Sequence, residues 1–236
     1  MLKVVAAARR RPGMTHEEYI RYVQHVHGAL ARARPLGLAR YVQNHVFDSA
    51  FGSDASNTHT GVFHRDSVTE LYFPTPADLQ RTFADEYTRT VIGPDGQNFA
   101  ELATTLTLVT EETSVVNQTG GDIKIMHFLF ASEVSSGHEP AARWLEAHQK
   151  ALVAVPDFAG TLKGLTRSDV RDAGPEAGRL VAHFGAAQGH CVLMISYWVS
   201  QGGRASFRDY ERSLMSCSGL DPRSSFFLFA SEVVII

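Results

Sequence analysis

Cysteine is nearly absent from this chain. Two cysteines, Cys191 and Cys217, stand among 236 residues, and their separation fits no metal-binding spacing. They read as two buried thiols in a reducing compartment, with no bridge between them, so the expected location is the cytoplasm. Long apolar runs are missing too. The longest, such as Cys191 to Tyr197, falls far short of the roughly 20 residues a bilayer span needs, and no membrane partner is expected. There is no basic run of five or more, and the formal net charge is −3. That balance argues against a nucleic-acid partner. The N-terminus lacks the order of a basic segment followed by a long apolar one, so it reads as a first strand and no signal peptide. H-E-x-x-H, CxxC and G-x-S-x-G are all absent. Metal and nucleophilic chemistry therefore lack their usual signatures, and neither metal nor cofactor is expected.

What is present centres on Thr15 to His45. Hydrophobic residues make up 44% of the chain and charged residues 20%, which suffices for an ordinary core. Thr15 followed by Glu18 forms a capping box, and Pro12-Gly13 separates it from the preceding strand. Tyr19, Val23, Val26, Leu30 and Ala33 recur at helical spacing and are expected to be the buried stripe. His27 sits on the shoulder of that stripe; His25 lies off it and is expected to be solvated. On spacing alone His27 reads first as a shoulder histidine with one hydrogen bond. The next strand shifts the balance. Tyr41, Gln43, His45 and Phe47 share one face at spacing two. Three hydrogen-bonding side chains beside an aromatic suit a wet or ligand-holding cavity better than a dry core, because unpaired buried polar groups are costly.

The rest of the chain reads as strands and helices in a repeating order. Lys3 to Arg10 is a strand. Gly52 to Thr60 is a long polar loop and a candidate lid, with His59 and His64 in or beside it and read as exposed. Ser67 to Phe73 is a strand with Glu70 and Tyr72 on one face. A helix follows from Ala77 to Thr90, then an acidic turn whose carboxylate is Asp95, then a strand from Leu102 to Thr110. Strand-helix-strand-strand-helix-strand is a ferredoxin-like unit. After the Gly120-Gly121 break it repeats. Asp122 to Val134 is a strand, Glu139 to Val155 a helix, and Gly160 to Asp169 a weaker strand followed by a turn-rich loop to Gly178. His190 to Ser200, Ala205 to Ser216 and Ser225 to Ile236 complete the second unit. Two helices cover one sheet face only, so two bare faces are expected to pack together. The fold class is α+β: two tandem ferredoxin-like units, residues 1–117 and 122–236, packed sheet to sheet as an intramolecular barrel with a cavity between the sheets. The heptad F-L-F-A-S-E-V occurs at Phe128 to Val134 and again at Phe227 to Val233. It places the first and last strands of the second unit as antiparallel neighbours, with Glu133 and Glu232 at their ends as either solvated residues or a carboxylate pair.

The first unit resembles the EthD family of the dimeric α+β barrel superfamily. The likeness rests on T-H-E-E-Y-I-R-Y and H-V-H-G-A-L on the helix, A-R-Y-V-Q-N-H-V and E-L-Y-F on strands, and P-D-G-Q-N-F before the fourth strand. The family usually carries Pro two residues after the helix histidine, where this chain has Gly28-Ala29. The second unit matches in outline only, with Gln149 at the position of His27, and reads as a scaffold half that closes the barrel. The chain is expected to act as a monomeric fused pseudo-dimer or as a homodimer. Relatives in the superfamily include cofactor-free decarboxylases, dehydratases and cyclases acting on polyketides or other aromatics, lactone isomerases, small monooxygenases and some haem proteins; fold alone does not select among them.

The residues support a cofactor-free lyase or isomerase acting on an aromatic or polyketide-like carbonyl compound. His27 or His45 moves the proton, Tyr41 and Tyr72 hydrogen-bond the developing oxyanion, and Asp95 or Glu70 orients His27. Gln43, Phe47, Glu70 and Tyr72 are the expected substrate contacts. Three rivals stand beside this reading. A haem or metal enzyme would use His27 or His45 as ligand and show a Soret band. A cofactor-free oxygenase would consume oxygen during turnover. A non-catalytic binding protein would hold ligand without turning it over.

Overall fold

The computed structural model describes residues 1–58, 64–131, 140–185 and 191–236. Eight strands close into one antiparallel barrel: β1 Leu2–Ala8, β2 Arg40–Phe51, β3 Ser67–Phe73, β4 Leu106–Val116, β5 Ile123–Phe130, β6 Leu162–Arg171, β7 Cys191–Val199 and β8 Phe226–Val234. Around the barrel they run β1-β3-β2-β8-β5-β7-β6-β4. Each half of the chain supplies four adjacent strands, so the α+β barrel is as expected. The halves join edge to edge, from Val42↔Val234 to Phe51↔Phe226 at one seam and from Val109↔Arg171 to Val116↔Leu165 at the other. Edge pairing removes the unpaired N–H and C=O groups that two separate sheets would expose.

Strand alternation sorts side chains into two layers. Inward-facing Val5, Ala7, Val68, Leu108, Met126, Phe128, Met194 and Leu228 form one cluster that draws on both halves. Beside it lies a buried ionic network. Glu70 accepts hydrogen bonds from Lys3 Nζ at 2.8 Å and from Asn44 Nδ2 at 2.9 Å, and also pairs with Lys124. Lys124 continues to Glu232 at 2.9 Å, and Lys3 to Glu112. Burial opposes the charged form of Glu70, but the ammonium groups of Lys124 and Lys3 outweigh it and hold the carboxyl far below the usual range. Among the described residues, the apolar cluster and this ionic network occupy the barrel interior. Glu70 and Tyr72 belong to this interior, and both are corrected as substrate contacts. Their register shows why: Val42 pairs with Glu70 and Tyr41 with Leu71, so Tyr41 and Glu70 point to opposite faces.

Helices cover the outside. In the first half these are α1 His16–Tyr22, a π-helical turn Val23–His27 and α2 Gly28–Ala33, then α3 Pro76–Ala84, a second π-turn Thr88–Ile92 and α4 Gly93–Asp95. In the second half they are α5 Pro140–Ala154, α6 Pro156–Thr161, α7 Ala177–Phe184 and α8 Gly203–Ser218. The capping box is present: Thr15 Oγ1 accepts from the Glu18 N–H, and Glu18 accepts from the Thr15 N–H at 2.8 Å. α7 begins at Ala177, where the expected turn-rich loop ends, and runs through a stretch to which the sequence assigned no element. Among the described residues no helix is long and apolar enough to cross a membrane.

The two halves differ under their helices. Trp144, Phe158, Tyr197, Phe207, Tyr210 and Leu214 fill the helix–sheet space of the second half. The matching space in the first half is hollow. Two smaller expectations also need correcting or placing. Cys191 is a buried free thiol, as expected, but Cys217 is exposed. Phe128 pairs with Phe226 across antiparallel neighbours β5 and β8, as the repeated heptad implies. Glu133 and His59 lie outside the described residues, and Glu232 is bound to Lys124 and Arg40.

Candidate active site

The hollow between the first half's helices and the outer face of its sheet encloses about 850 Å³ of empty space, open solvent at its mouth included. Val23, Ala31, Leu38, Leu71, Phe83 and Phe99 give it apolar walls. Small residues Ala6 and Ala8 on β1 form part of its floor.

The π-turn is what brings His27 into this space. It contains one more residue than an α-turn, so every later side chain is rotated by about 100°. Up to its first residue, Tyr19 and Val23 are buried as the helical stripe requires. Near its end, Val26 turns out to 44% exposure, while the His27 side chain falls to 15%. Gly28 and Ala31 are buried next. Val26, Leu30 and Ala33 are thus corrected as members of the buried stripe. The Val23 carbonyl closes the π-turn by accepting the Gly28 N–H, and it also accepts the Gln43 amide at 2.9 Å. A Cβ on Gly28 would meet Val23 O at 3.3 Å and Gln43 Nε2 at 3.4 Å, so glycine suits this tight crossing.

Asp95 lies beside His27, its Oδ2 2.9 Å from His27 Nδ1. Asp95 Oδ1 accepts from Tyr22 Oη at 2.7 Å and from Asn98 Nδ2 at 2.9 Å. The His27 hydrogen bond, then those of Asn98 and Tyr22, overcome partial burial and bring the Asp95 carboxyl down to about 2. Asp95 is therefore a carboxylate at neutral pH and can only accept. His27 Nδ1 must carry the proton, which leaves the Nε2 lone pair as the basic one. Among the described residues nothing hydrogen-bonds that nitrogen. The His27 ring also rests against Phe99, with centroids 4.8 Å apart.

The other expected residues sort into three groups. Tyr41 lines the cavity with His27, and burial pushes its phenol up to about 12. Gln43 lies behind Tyr41, donating to its Oη at 2.8 Å. His45 lies one step farther back, with Nε2 3.2 Å from Gln43 Oε1. That oxygen only accepts, so His45 Nε2 carries the proton. Burial pulls His45 down to about 4, so it is neutral at pH 7. His45 does not reach the cavity wall and orients Gln43 instead. Phe47 is the extra residue of a bulge in β2, 48% exposed and stacked on Phe229. It is corrected as a cavity contact.

Several residues of the site, some on the cavity wall and some bonded to Asp95, carried no role in the sequence reading. Tyr22, Asn98 and Phe99 stood inside the quoted motifs without an assigned function. Thr88 belongs to the wall and is 3% exposed, its Oγ1 buried and without a partner among the described residues. His183 and Phe184 reach the wall from α7 in the second half. A signal for that helix was available in Leu180, Val181 and Phe184 ahead of Gly185. Among the described residues no three His, Cys, Asp or Glu side chains converge as a metal site would require.

The family model described as the EthD domain matches residues 11–103. The expected resemblance holds over that span, which contains His27, Tyr22, Tyr41, Asp95 and Asn98. No curated protein matches the chain. Solved structures share the whole fold. An anthrone oxidase-like protein superposes with a TM-score of 0.59 at 9% identity, covering 99% of this chain and 93% of that one. A variant chlorite dismutase from Candidatus Nitrospira defluvii superposes with a TM-score of 0.51 at 12% identity, covering 98% and 90%. At such identities the likeness is one of fold. The barrel extends beyond the EthD domain, and the second half that completes it also supplies part of the cavity wall.

Proposed function

We infer that the protein is an enzyme in which His27 removes a proton from a planar phenolic or enolisable carbonyl compound. One observation carries this reading: a histidine with Asp95 on Nδ1 presents an unpartnered Nε2 to an apolar cavity. The carboxylate stabilises the imidazolium that forms when Nε2 takes the proton, as a paired general base requires. The apolar walls suit an aromatic body, and Tyr41 and Thr88 supply hydroxyls for its oxygens. Proton removal would begin a dehydration, cyclisation or isomerisation, and the same dyad could return the proton after a decarboxylation. Gln43 and His45 act behind this centre by fixing the π-turn and Tyr41. We read the barrel as two ferredoxin-like units, residues 1–117 and 122–236. The fourth-first-third-second strand order within each half supports that reading.

The test is product analysis on a panel of planar phenols and enolisable ketones. Anthrone, part of one neighbour's name, belongs in the panel as such a compound. Wild-type protein is expected to convert a panel member, and His27→Ala to lose about 10²- to 10⁴-fold in rate with circular dichroism unchanged. A folded His27→Ala variant with full activity would contradict the assignment. Oxygen uptake followed during the same turnover separates an oxygenase from a lyase or isomerase.

A further inference from the structure

We propose that His183, from the second half of the chain, donates the hydrogen bond that receives the substrate oxygen in the His27 cavity. The proposal rests on His27 being the base, and it gives the second half a direct part in the chemistry.

The fold fixes His183 firmly. Leu180, on the same helix α7, is buried against Val4, Leu79 and Phe83 of the first half. The helix ends at Gly185 with φ +79, where a Cβ would lie 2.3 Å from Leu102 Cβ. Only glycine fits there, so the last turn cannot drift outward. The His183 ring packs edge-on against Phe83, with centroids 5.0 Å apart. Gly93 faces it closely, since a Cβ at that position would come within 3.0 Å of His183 Nδ1. Neither ring nitrogen has a hydrogen-bond partner among the described residues. The ring is thus held by packing, on the wall of the cavity, with Nδ1 beside Gly93.

Its charge state suits a donor. Burial, then the nearby His27, brings His183 down to about 3. It stays neutral when His27 is protonated, so the two histidines do not compete for the proton. The step balances: His27 Nε2 takes the proton from a C–H beside a carbonyl, or from a phenol. The electron pair moves onto the oxygen, where the neutral His183 N–H donates to it. Thr88 Oγ1, buried and unpartnered on the same wall, is available to a second oxygen. The substrate class is accordingly an aromatic compound carrying two oxygens, a carbonyl and a hydroxyl.

Binding of 4-nitrophenol tests this without knowledge of the natural substrate, because its phenolate absorbs visibly. At a pH where the free dye is mostly protonated, wild-type protein is expected to bind it as the phenolate. His183→Phe keeps the ring packing and should lower the ionised-to-neutral ratio of bound dye roughly ten- to hundredfold. Gly93→Ala is compatible with the helical backbone there, presses on the His183 ring, and should shift the ratio in the same direction. If His183→Phe matches wild type while His27→Ala abolishes ionisation, the His183 role is overturned and the base stands. If His27→Ala leaves ionisation intact, the base reading fails and takes this proposal with it, as would failure of wild-type protein to bind the dye. Should His183→Phe not fold, the Gly93→Ala ratio decides, and an unchanged value overturns the proposal.

Discussion

At the scale of single residues, the site depends on which nitrogen carries which proton. Asp95 fixes this for His27, so Asp95→Asn should do more than weaken one hydrogen bond. An asparagine oxygen can still accept from Nδ1, but it no longer stabilises the imidazolium. Proton transfer is expected to slow by roughly a hundredfold or more while ligand affinity changes little, which separate measurements of rate and binding would show. Asp95 titrates below its ordinary value. Its contribution to stability is therefore in place above about pH 4 and is lost as the pH falls toward about 2. His127 is a residue of the opposite kind. It is fully buried against Phe207 and Phe227, and neither ring nitrogen has a partner among the described residues. Burial pulls it down to about 3. The unfolded chain binds a proton there near pH 6.5 and the folded chain does not, so this residue costs stability increasingly as pH falls below that value. His127→Leu, close in volume, should match or exceed wild-type stability, with a gain that grows from pH 7 to pH 5 in denaturant titrations. A loss at both pH values would contradict this.

At the scale of elements, the π-turn is the decisive departure from regular structure. The capping box at Thr15 and Glu18 was readable because it is a local pattern with a local cause. The π-turn was not. The same residues satisfy an unbroken α-helix equally well, and that helix would bury Val26. The extra residue becomes visible only with the Gln43 amide seated on the Val23 carbonyl, a contact between a helix and a strand. Which face of a strand carries the site was hidden for a similar reason. Alternation grouped Glu70 with Tyr72 and Tyr41 with Gln43, but only the pairing of Tyr41 with Leu71 sets the groups on opposite sides. The repeated heptad makes the same point: Phe128 faces the barrel interior, whereas Phe227 packs in the outer aromatic cluster. Gln43→Leu tests the role of the π-turn. It removes a buried donor from the Val23 carbonyl and from Tyr41, and it leaves His45 Nε2 without its acceptor. Stability should fall by about 1–3 kcal/mol, and His27-dependent proton transfer should fall with it. Unchanged transfer at reduced stability would show that the π-turn holds without this contact.

At the scale of the whole molecule, the barrel separates two functions that one sheet face could not serve. Its interior holds charge and its exterior carries the cavity beside His27. Glu70 is the centre of the interior network, so Glu70→Gln would leave Lys3 and Lys124 short of countercharge in a buried site. The expected loss is about 3–5 kcal/mol at pH 7. Because the Glu70 carboxyl titrates below its ordinary value, the gap between wild type and variant should narrow as pH falls below about 4. Denaturant midpoints at pH 7 and pH 3 would measure it. The sequence made the α+β barrel legible through the order of elements and its repetition after Gly120-Gly121. It concealed that the second half takes part in the cavity, because α7 lies in a region rich in turn residues and its contact with Phe83 spans a hundred positions of sequence. The central claim is that His27 acts as a base toward a planar substrate in the cavity between helix and sheet. Proton exchange at the α-carbon of 2-tetralone in deuterated buffer, followed by NMR, tests it most directly. Wild-type protein should accelerate the exchange, and a folded His27→Ala variant should lose roughly a hundredfold or more of that acceleration. Equal exchange by the two proteins would contradict the account.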